Sequence, residues 1–205
     1  MTLENIALTG RVLGVLLYAP PESEDGQQLL ATLSESEWVK EWPYGDADRL
    51  QTAAALIATG IEDQQDESLA EAYQRLFVGP DTLPAPLWGS VYLDKENVLF
   101  GHSTLRLRKW LRANGIEAQH DRNEPEDHIG TLLMMVAWLA EERQGGLVEQ
   151  LLTKHLLPWA PRYLELLEAN AQHPFYQGLA QLAQITLGAW GAECTAEVES
   201  LELYF

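Results

Sequence analysis

The 205-residue chain is 46% hydrophobic and contains seven tryptophans, a composition that predicts a folded core rather than a disordered chain. Its formal net charge of −18 argues against a nucleic-acid-binding protein and favours a cationic partner. Because Cys194 is the only cysteine, no intrachain disulfide can form, and a reducing compartment is expected.

Nothing in the sequence predicts export or membrane insertion. The first residues include an apolar stretch, but Glu4 precedes it, Arg11 interrupts it and no cationic region leads into it, which makes a poor signal peptide. A membrane span needs about 18 uninterrupted apolar residues, and we find no such run. We therefore expect a soluble protein of the cytoplasm without stable membrane insertion, with a peripheral position at the inner membrane as a second location.

Apolar residues at helical spacing predict helices along most of the chain. The predicted helices cover residues 3–18, 27–33, 47–59, 67–77, 103–114, 125–142, 147–157, 161–171 and 175–191. Ser34 and Glu37 have capping-box spacing, and Ser103 is a predicted helix cap. No alternation of strands and helices is evident. The pattern predicts an all-α protein, a compact bundle of about nine or more helices.

The region between the fourth and fifth predicted helices is less regular. Residues 79–90 form a proline-rich loop, and residues 91–100 are compatible with a hairpin. The chain is predicted as a single helical domain, with two subdomains joined by loop 79–102 as the alternative. Disorder is one expectation for the acidic residues 193–205, to which the sequence assigns no role.

The six residues NEPEDH, 123–128, precede an apolar helix and allow several interpretations. The first is a helix start, with Asn123 as the N-cap, Pro125 in the first turn and Glu126 as the reciprocal partner. Capping does not account for His128, because a helix N-terminus disfavours a protonated imidazole. The neighbouring Asp127 would offset this effect and could hold the ring in one tautomer.

A metal or catalytic site is the second interpretation. Adjacent residues on a helix point about 100° apart, so Asp127 and His128 cannot easily share one ion. HExxH, nucleophile-elbow and phosphate-loop motifs are absent from the sequence. No cofactor and no enzymatic reaction are therefore expected.

A binding surface is the third interpretation. Tyr73, Leu76 and Phe77 lie on one helical stripe, and Trp88 follows in the proline-rich loop. Aromatic side chains in an acidic protein suit a peptide that carries apolar and basic residues. The alternative for the stripe is an ordinary position in the core.

Several blocks of the chain resemble the TorD/DmsD family of redox-enzyme maturation chaperones, which proofread export through the twin-arginine (Tat) pathway. The likeness covers nearly the whole chain in the same order. The blocks are RVLGVLLYAPPES (11–23), YQRLFVGP (73–80), PLWGSVYLDKENVLFG (86–101), NEPEDH (123–128), HLLPW (155–159) and HPFY (173–176).

The resemblance implies the family's all-helical TorD-like fold and a chaperone function. Such proteins bind the twin-arginine leader of a molybdoenzyme of the dimethyl sulfoxide reductase type, hold the precursor for cofactor insertion and release it for Tat export. Tat translocase components are further implied partners. Carried onto matching positions, the leader site comprises Tyr73, Leu76, Phe77, Trp88, Gly101, Pro125, Asp127 and His128.

Our hypothesis is that Asp127 accepts from a leader arginine or from His128, while the aromatic stripe and Trp88 receive the leader's apolar run. One position departs from the family pattern. Close relatives carry tryptophan after the Gly-Pro of the LFVGP block, and Asp81 stands there in this chain. One aromatic wall of the site would be missing.

Two other functions remain open. A helical adaptor could bind a different segment of the molybdoenzyme or its membrane subunit. A metal-dependent hydrolase would use residues 124–128.

Overall fold

The computed structural model describes residues 2–62, 65–116 and 124–205. Within these ranges the chain forms eleven α-helices and two short π-helices, and no strand. The α-helices are α1 (Leu3–Leu16), α2 (Glu24–Ser34), α3 (Trp38–Glu41), α4 (Ala47–Ile61), α5 (Leu69–Tyr73), α6 (Gly89–Leu93), α7 (His102–Ala113), α8 (Ile129–Glu141), α9 (Gly145–Leu151), α10 (Ala160–Asn170) and α11 (Pro174–Glu193). The predicted all-α fold is confirmed.

The two π-helices, π1 (Gln74–Val78) and π2 (Leu152–Leu156), directly follow α5 and α9. In each, a backbone N–H donates to the carbonyl five residues earlier: Gly79 N lies 2.9 Å from Gln74 O, and Leu157 N lies 2.9 Å from Leu152 O. Such wide turns are rare and are frequent at functional sites. The helices predicted over 67–77 and 147–157 therefore exist, but each changes its hydrogen-bond register.

The core joins helices from the whole described chain. α1 packs along α8, and α11 packs along α4 and α10. Close approach of α1 and α8 depends on glycines, because a Cβ on Gly14 would lie 2.7 Å from the Met134 Cγ, and one on Gly130 would lie 2.8 Å from the Gly14 carbonyl oxygen. No helix within the described ranges combines the length and apolarity that crossing a bilayer requires.

The predicted hairpin over 91–100 is wrong. Residues Gly89–Leu93 form α6, and the chain then turns with Asn97 at a φ of 50°. The turn is closed by local hydrogen bonds: Asn97 Nδ2 donates to Val91 O at 2.7 Å, and the Asp94 carboxylate accepts from Ser103 N at 3.1 Å. Asp94 therefore caps α7, and the predicted capping role of Ser103 is also wrong.

Two further predicted helix starts are corrected. Ser34 is the last residue of α2, where its hydroxyl donates to Ala31 O, so no capping box begins there. α8 begins at Ile129 instead of near 125, which places Pro125 and Glu126 ahead of the helix. The predicted Asn123 cap lies outside the described residues.

Candidate functional site

Aromatic rings connect most of the predicted site residues. Phe77 stacks on Tyr73 with ring centroids 5.2 Å apart, and the Tyr73 hydroxyl donates to Tyr18 O at 2.7 Å. The Tyr18 ring then meets the His128 ring edge-on at 5.2 Å, and His128 meets Trp88 in the same way at 5.8 Å. The three outer members, Tyr18, Tyr73 and Trp88, are half-buried and keep part of their rings in solvent. We call these three rings with His128 the aromatic surface.

A short backbone bridge positions Trp88 against His128. Gly89 N donates to Asp127 O at 3.0 Å, and Ile129 N donates to Leu87 O at 2.8 Å, so Trp88 and His128 form an isolated antiparallel bridge. These two backbone hydrogen bonds thereby fix the orientation of the proline-rich loop relative to the start of α8.

Asp127 has a positioning role in this arrangement. Its carboxylate accepts from Ser90 N at 2.6 Å, in the first turn of α6, and the residue is only 4% exposed. Burial raises the pKa of Asp127, while hydrogen bonds from Ser90 oppose part of the rise. The predicted hydrogen bond between Asp127 and His128 is absent from the described residues, and in this conformation the Asp127 carboxylate is buried and bonded to α6.

His128 is the N-cap of α8, a role that the sequence analysis did not assign. Its Nδ1 accepts from Gly130 N at 3.1 Å, so the neutral ring carries its proton on Nε2. Burial lowers the pKa of His128 to about 3. A neutral imidazole is compatible with a helix N-terminus, which resolves the objection that its dipole disfavours the cation. The Nε2 atom faces Glu124, whose Oε1 lies 4.0 Å away.

Leu76 and Phe77 belong to the core, with exposed fractions of 0% and 6%. The π1 turn directs both side chains inward, and Phe77 also packs on Tyr176 at 5.1 Å. Next to them, Arg75 makes two hydrogen bonds to Glu67 of 2.7 Å each. In this conformation Tyr73 is partly exposed, whereas Leu76 and Phe77 are not accessible from the surface.

Gly101 and Pro125 lie at the edges of the site. Gly101 occupies the position before α7, and a Cβ there would collide with the Asp94 carboxylate that caps the helix. Pro125 is buried, and its carbonyl accepts from His128 N at 3.3 Å. Neither residue belongs to the aromatic surface.

Sequence reasoning missed Tyr18 and Glu124 as members of the site. The signal for Tyr18 was a tyrosine at the end of a predicted helix, one residue ahead of two consecutive prolines. Its partners Tyr73 and His128 are distant in sequence, so the signal has no meaning until the fold joins them. The sequence analysis considered Glu124 only as part of the NEPEDH block and of the candidate metal site at residues 124–128.

The described residues contain no group of three or more His, Cys, Asp or Glu side chains that could hold a metal ion. Around residues 124–128 the carboxylates point apart: Asp127 bonds to Ser90, and Glu126 forms a 2.7 Å ion pair with Arg108. This geometry gives no support to the metal-dependent hydrolase.

Comparisons with known proteins agree with the geometry. A family model described as nitrate reductase delta subunit matches residues 45–165. The Tat proofreading chaperone DmsD of Salmonella typhi is 49% identical over 201 residues, which cover 98% of this chain and 96% of that protein. The probable Tat proofreading chaperone DmsD of Haemophilus influenzae is 39% identical over 204 residues, covering 99% and 98%. The chaperone protein TorD of Vibrio cholerae is 31% identical over 136 residues, 60% of this chain and 61% of its own. The chain therefore belongs to the TorD/DmsD family of redox-enzyme maturation chaperones.

Proposed function

We propose that the protein is a chaperone that binds the twin-arginine leader of a molybdoenzyme of the dimethyl sulfoxide reductase type. It holds the precursor while the cofactor is inserted and releases it for Tat export. The relatives named above are themselves chaperones, and two are named as proofreading chaperones of the Tat pathway.

The aromatic surface is the observation that carries this proposal. Tyr18, Tyr73 and Trp88 present partly exposed rings around His128, and their inner faces are fixed by ring contacts and by the Trp88–His128 bridge. Rigid aromatic rings bury a large area at little cost in side-chain entropy, which suits the apolar run of a leader.

Glu124 is the carboxylate best placed for a leader arginine. Its side chain is 24% exposed and lies beside His128, whereas Asp127 is buried and engaged with α6. The Nε2–H of the neutral imidazole is itself a donor and cannot accept from a guanidinium group, so the Glu124 carboxylate is the acceptor on this side of the site. The proposed role of Asp127 thus changes from contacting the leader to holding the loop that carries Trp88.

We place the protein in the cytoplasm, where the precursor is synthesised and folded. A peripheral position at the inner membrane and contact with Tat translocase components belong to the same proposal. Cell fractionation with and without the translocase would test both points.

Calorimetric titration with a synthetic twin-arginine leader, and with the same peptide carrying alanine at both arginines, tests the function. We expect tight binding of the first peptide only. Equal binding of both peptides, or binding of the mature enzyme alone, would support the helical adaptor instead.

A pair of tryptophan variants tests the location of the site. Trp88→Ala is expected to weaken leader binding by about tenfold or more, because a central aromatic anchor is lost. Trp138→Ala is the matched control, since Trp138 is 42% exposed on α8 and lies outside the aromatic surface. An equal loss in both variants would place the leader elsewhere.

A further inference from the structure

The π2 turn leaves two backbone carbonyls without a helical partner. Leu157 N donates to Leu152 O, so it does not donate to Thr153 O as an α-helix would require. The next residue is Pro158, which has no N–H to give to Lys154 O. Thr153 is buried, so its carbonyl needs a partner from outside the helix, whereas Lys154 is exposed.

Residues from two distant parts of the chain supply those partners. Glu199 N donates to Thr153 O at 3.0 Å, and Arg106 Nη2 donates to Lys154 O at 2.6 Å. The two donors are themselves joined, because Arg106 Nη1 lies 2.7 Å from Glu199 Oε2. These groups therefore form a specific binding site for an extended segment beside π2.

The same segment is attached a second time at α6. Tyr204 N donates to Tyr92 O at 2.9 Å, and the Phe205 ring meets the Tyr92 ring edge-on at 5.5 Å. Tyr92 lies in the last turn of α6, where helix carbonyls lack partners of their own. The expectation that residues 193–205 are disordered is wrong for this segment, which follows α11 as an extended chain in contact with the protein.

α6 is consequently held at both ends. Asp127 accepts hydrogen bonds from Gly89 and Ser90 at its start, next to Trp88, and the segment 198–205 covers Tyr92 near its end. A helix of five residues has no independent stability in water, so external contacts determine where it lies: these two attachments together with the stacking of Tyr92 on Trp159 at 5.3 Å.

The attachment at the Tyr92 end can open without unfolding the core. The side chains of Arg106 and Glu199 are 41% and 37% exposed, and an ion pair of this kind contributes little. Tyr204 and Phe205 are 40% and 39% exposed. Segments with few buried contacts are the ones that open locally.

We propose that residues 198–205 are a releasable latch that regulates the leader site. When seated, the latch fixes α6 and with it Trp88. When released, it removes the hydrogen bond and the ring contact at Tyr92. α6 then keeps its contacts with Asp127, Asn97 and the Trp159 ring, and Trp88 is held less firmly. The regulatory part of this inference rests on the proposed function, whereas the hold on α6 does not.

Amide hydrogen exchange of α6 in the full chain tests the hold directly. In the double variant Glu199→Lys/Phe205→Ala, exchange of the residue 89–93 amides is expected to accelerate about tenfold or more, because both attachments are weakened. Glu197→Lys, at the exposed position immediately before the latch, is the matched control and should leave exchange unchanged. Unchanged exchange in the double variant, with native circular dichroism, would overturn the latch.

Leader titration of the same proteins tests the regulation. If release lowers the fraction of molecules with a competent site, the apparent Kd of the double variant rises by the inverse of that fraction, and we expect a rise of about fivefold. Faster α6 exchange with unaltered leader affinity would overturn regulation but keep the hold on α6. Failure of the native chain to bind any leader would overturn the proposed function and the regulation, and α6 exchange would still decide whether the segment holds the helix.

Discussion

The imidazole of His128 performs three structural tasks at once. It caps α8 through Nδ1, separates the rings of Tyr18 and Trp88, and directs Nε2 towards Glu124. Because a protonated Nδ1 could not accept from Gly130 N, the cap requires the neutral form of the ring. Burial provides it, because the free energy of placing a charge in this environment lowers the pKa from 6.5 to about 3.

This pKa predicts a pH dependence of stability. Between about pH 3 and pH 6.5 the unfolded chain binds a proton at His128 that the folded chain does not, so stability falls as the pH decreases. The contribution of His128 should lower the free energy of unfolding by about 2 kcal/mol between about pH 7 and pH 5. His128→Asn retains a cap acceptor and lacks the titration, so denaturant unfolding at the two pH values should show a smaller loss in this variant. An equal loss in both proteins would contradict the prediction.

The proposed role of Glu124 predicts a selective effect on binding. Glu124→Gln should weaken binding of the twin-arginine leader by about tenfold, since a charge-assisted hydrogen bond is replaced by a neutral one. Binding of the alanine-substituted leader should not change. Glu142→Gln, an exposed substitution at the other end of α8, is the control. Calorimetry that shows the same loss with both peptides would exclude contact between Glu124 and the arginines.

The sequence analysis placed the NEPEDH block next to the start of a helix, but it did not predict what each side chain does there. Capping spacing pointed to Asn123 and Glu126, whereas the observed cap is His128 and Glu126 pairs with Arg108. Capping preferences describe local chemistry, and here other contacts decide: the bridge to Trp88 and the turn closed by His128 N on Pro125 O keep residues 125–128 out of the helix. The role of Asp127 depends on Ser90, a partner no local pattern reveals.

At the scale of elements, long helices with a clear apolar period were predictable and short ones were not. α1, α4, α10 and α11 lie close to their predicted bounds because burial of one face follows directly from the spacing. α6 was missed because five residues carry no usable period. Its stability comes from Asp127 and Tyr204, which are distant in sequence. The π-helices were missed because they differ from α-helices only in the register of their backbone hydrogen bonds, which the apolar spacing does not reveal.

Close packing of α1 on α8 predicts opposite effects for two glycine substitutions. Gly130→Ala should lower the free energy of unfolding by about 1–3 kcal/mol, because the added Cβ would lie 2.8 Å from both the Gly14 carbonyl oxygen and the Tyr18 Cβ. Gly146 lies at an exposed position of α9 with open space around it, so Gly146→Ala should raise the free energy of unfolding by up to about 1 kcal/mol. Urea unfolding measures both values. A neutral Gly130→Ala would show that the helices can separate without cost.

At the scale of the whole molecule, charge complements the aromatic surface. A formal net charge of −18 attracts a cationic leader over distances longer than any contact. Composition alone predicted this preference for a cationic partner. Composition could not supply the apolar half of recognition, because Tyr18, Tyr73, Trp88 and His128 come together only in the fold.

Long-range attraction predicts a salt-dependent association rate. Stopped-flow binding of the twin-arginine leader should slow about tenfold between about 50 mM and 500 mM salt, while the dissociation rate changes much less. The alanine-substituted leader is the control, and any association it shows should vary far less with salt. Equal salt dependence of the two peptides would mean that the arginines are not the groups attracted.

The bridge between Trp88 and His128 also has a consequence for biosynthesis. The two bridged residues are 40 positions apart in the chain, and Tyr18 is joined to Tyr73 across 55. A growing chain therefore has no aromatic surface until the start of α8 has left the ribosome. The chaperone must therefore complete well over half of its own synthesis before it can retain a client.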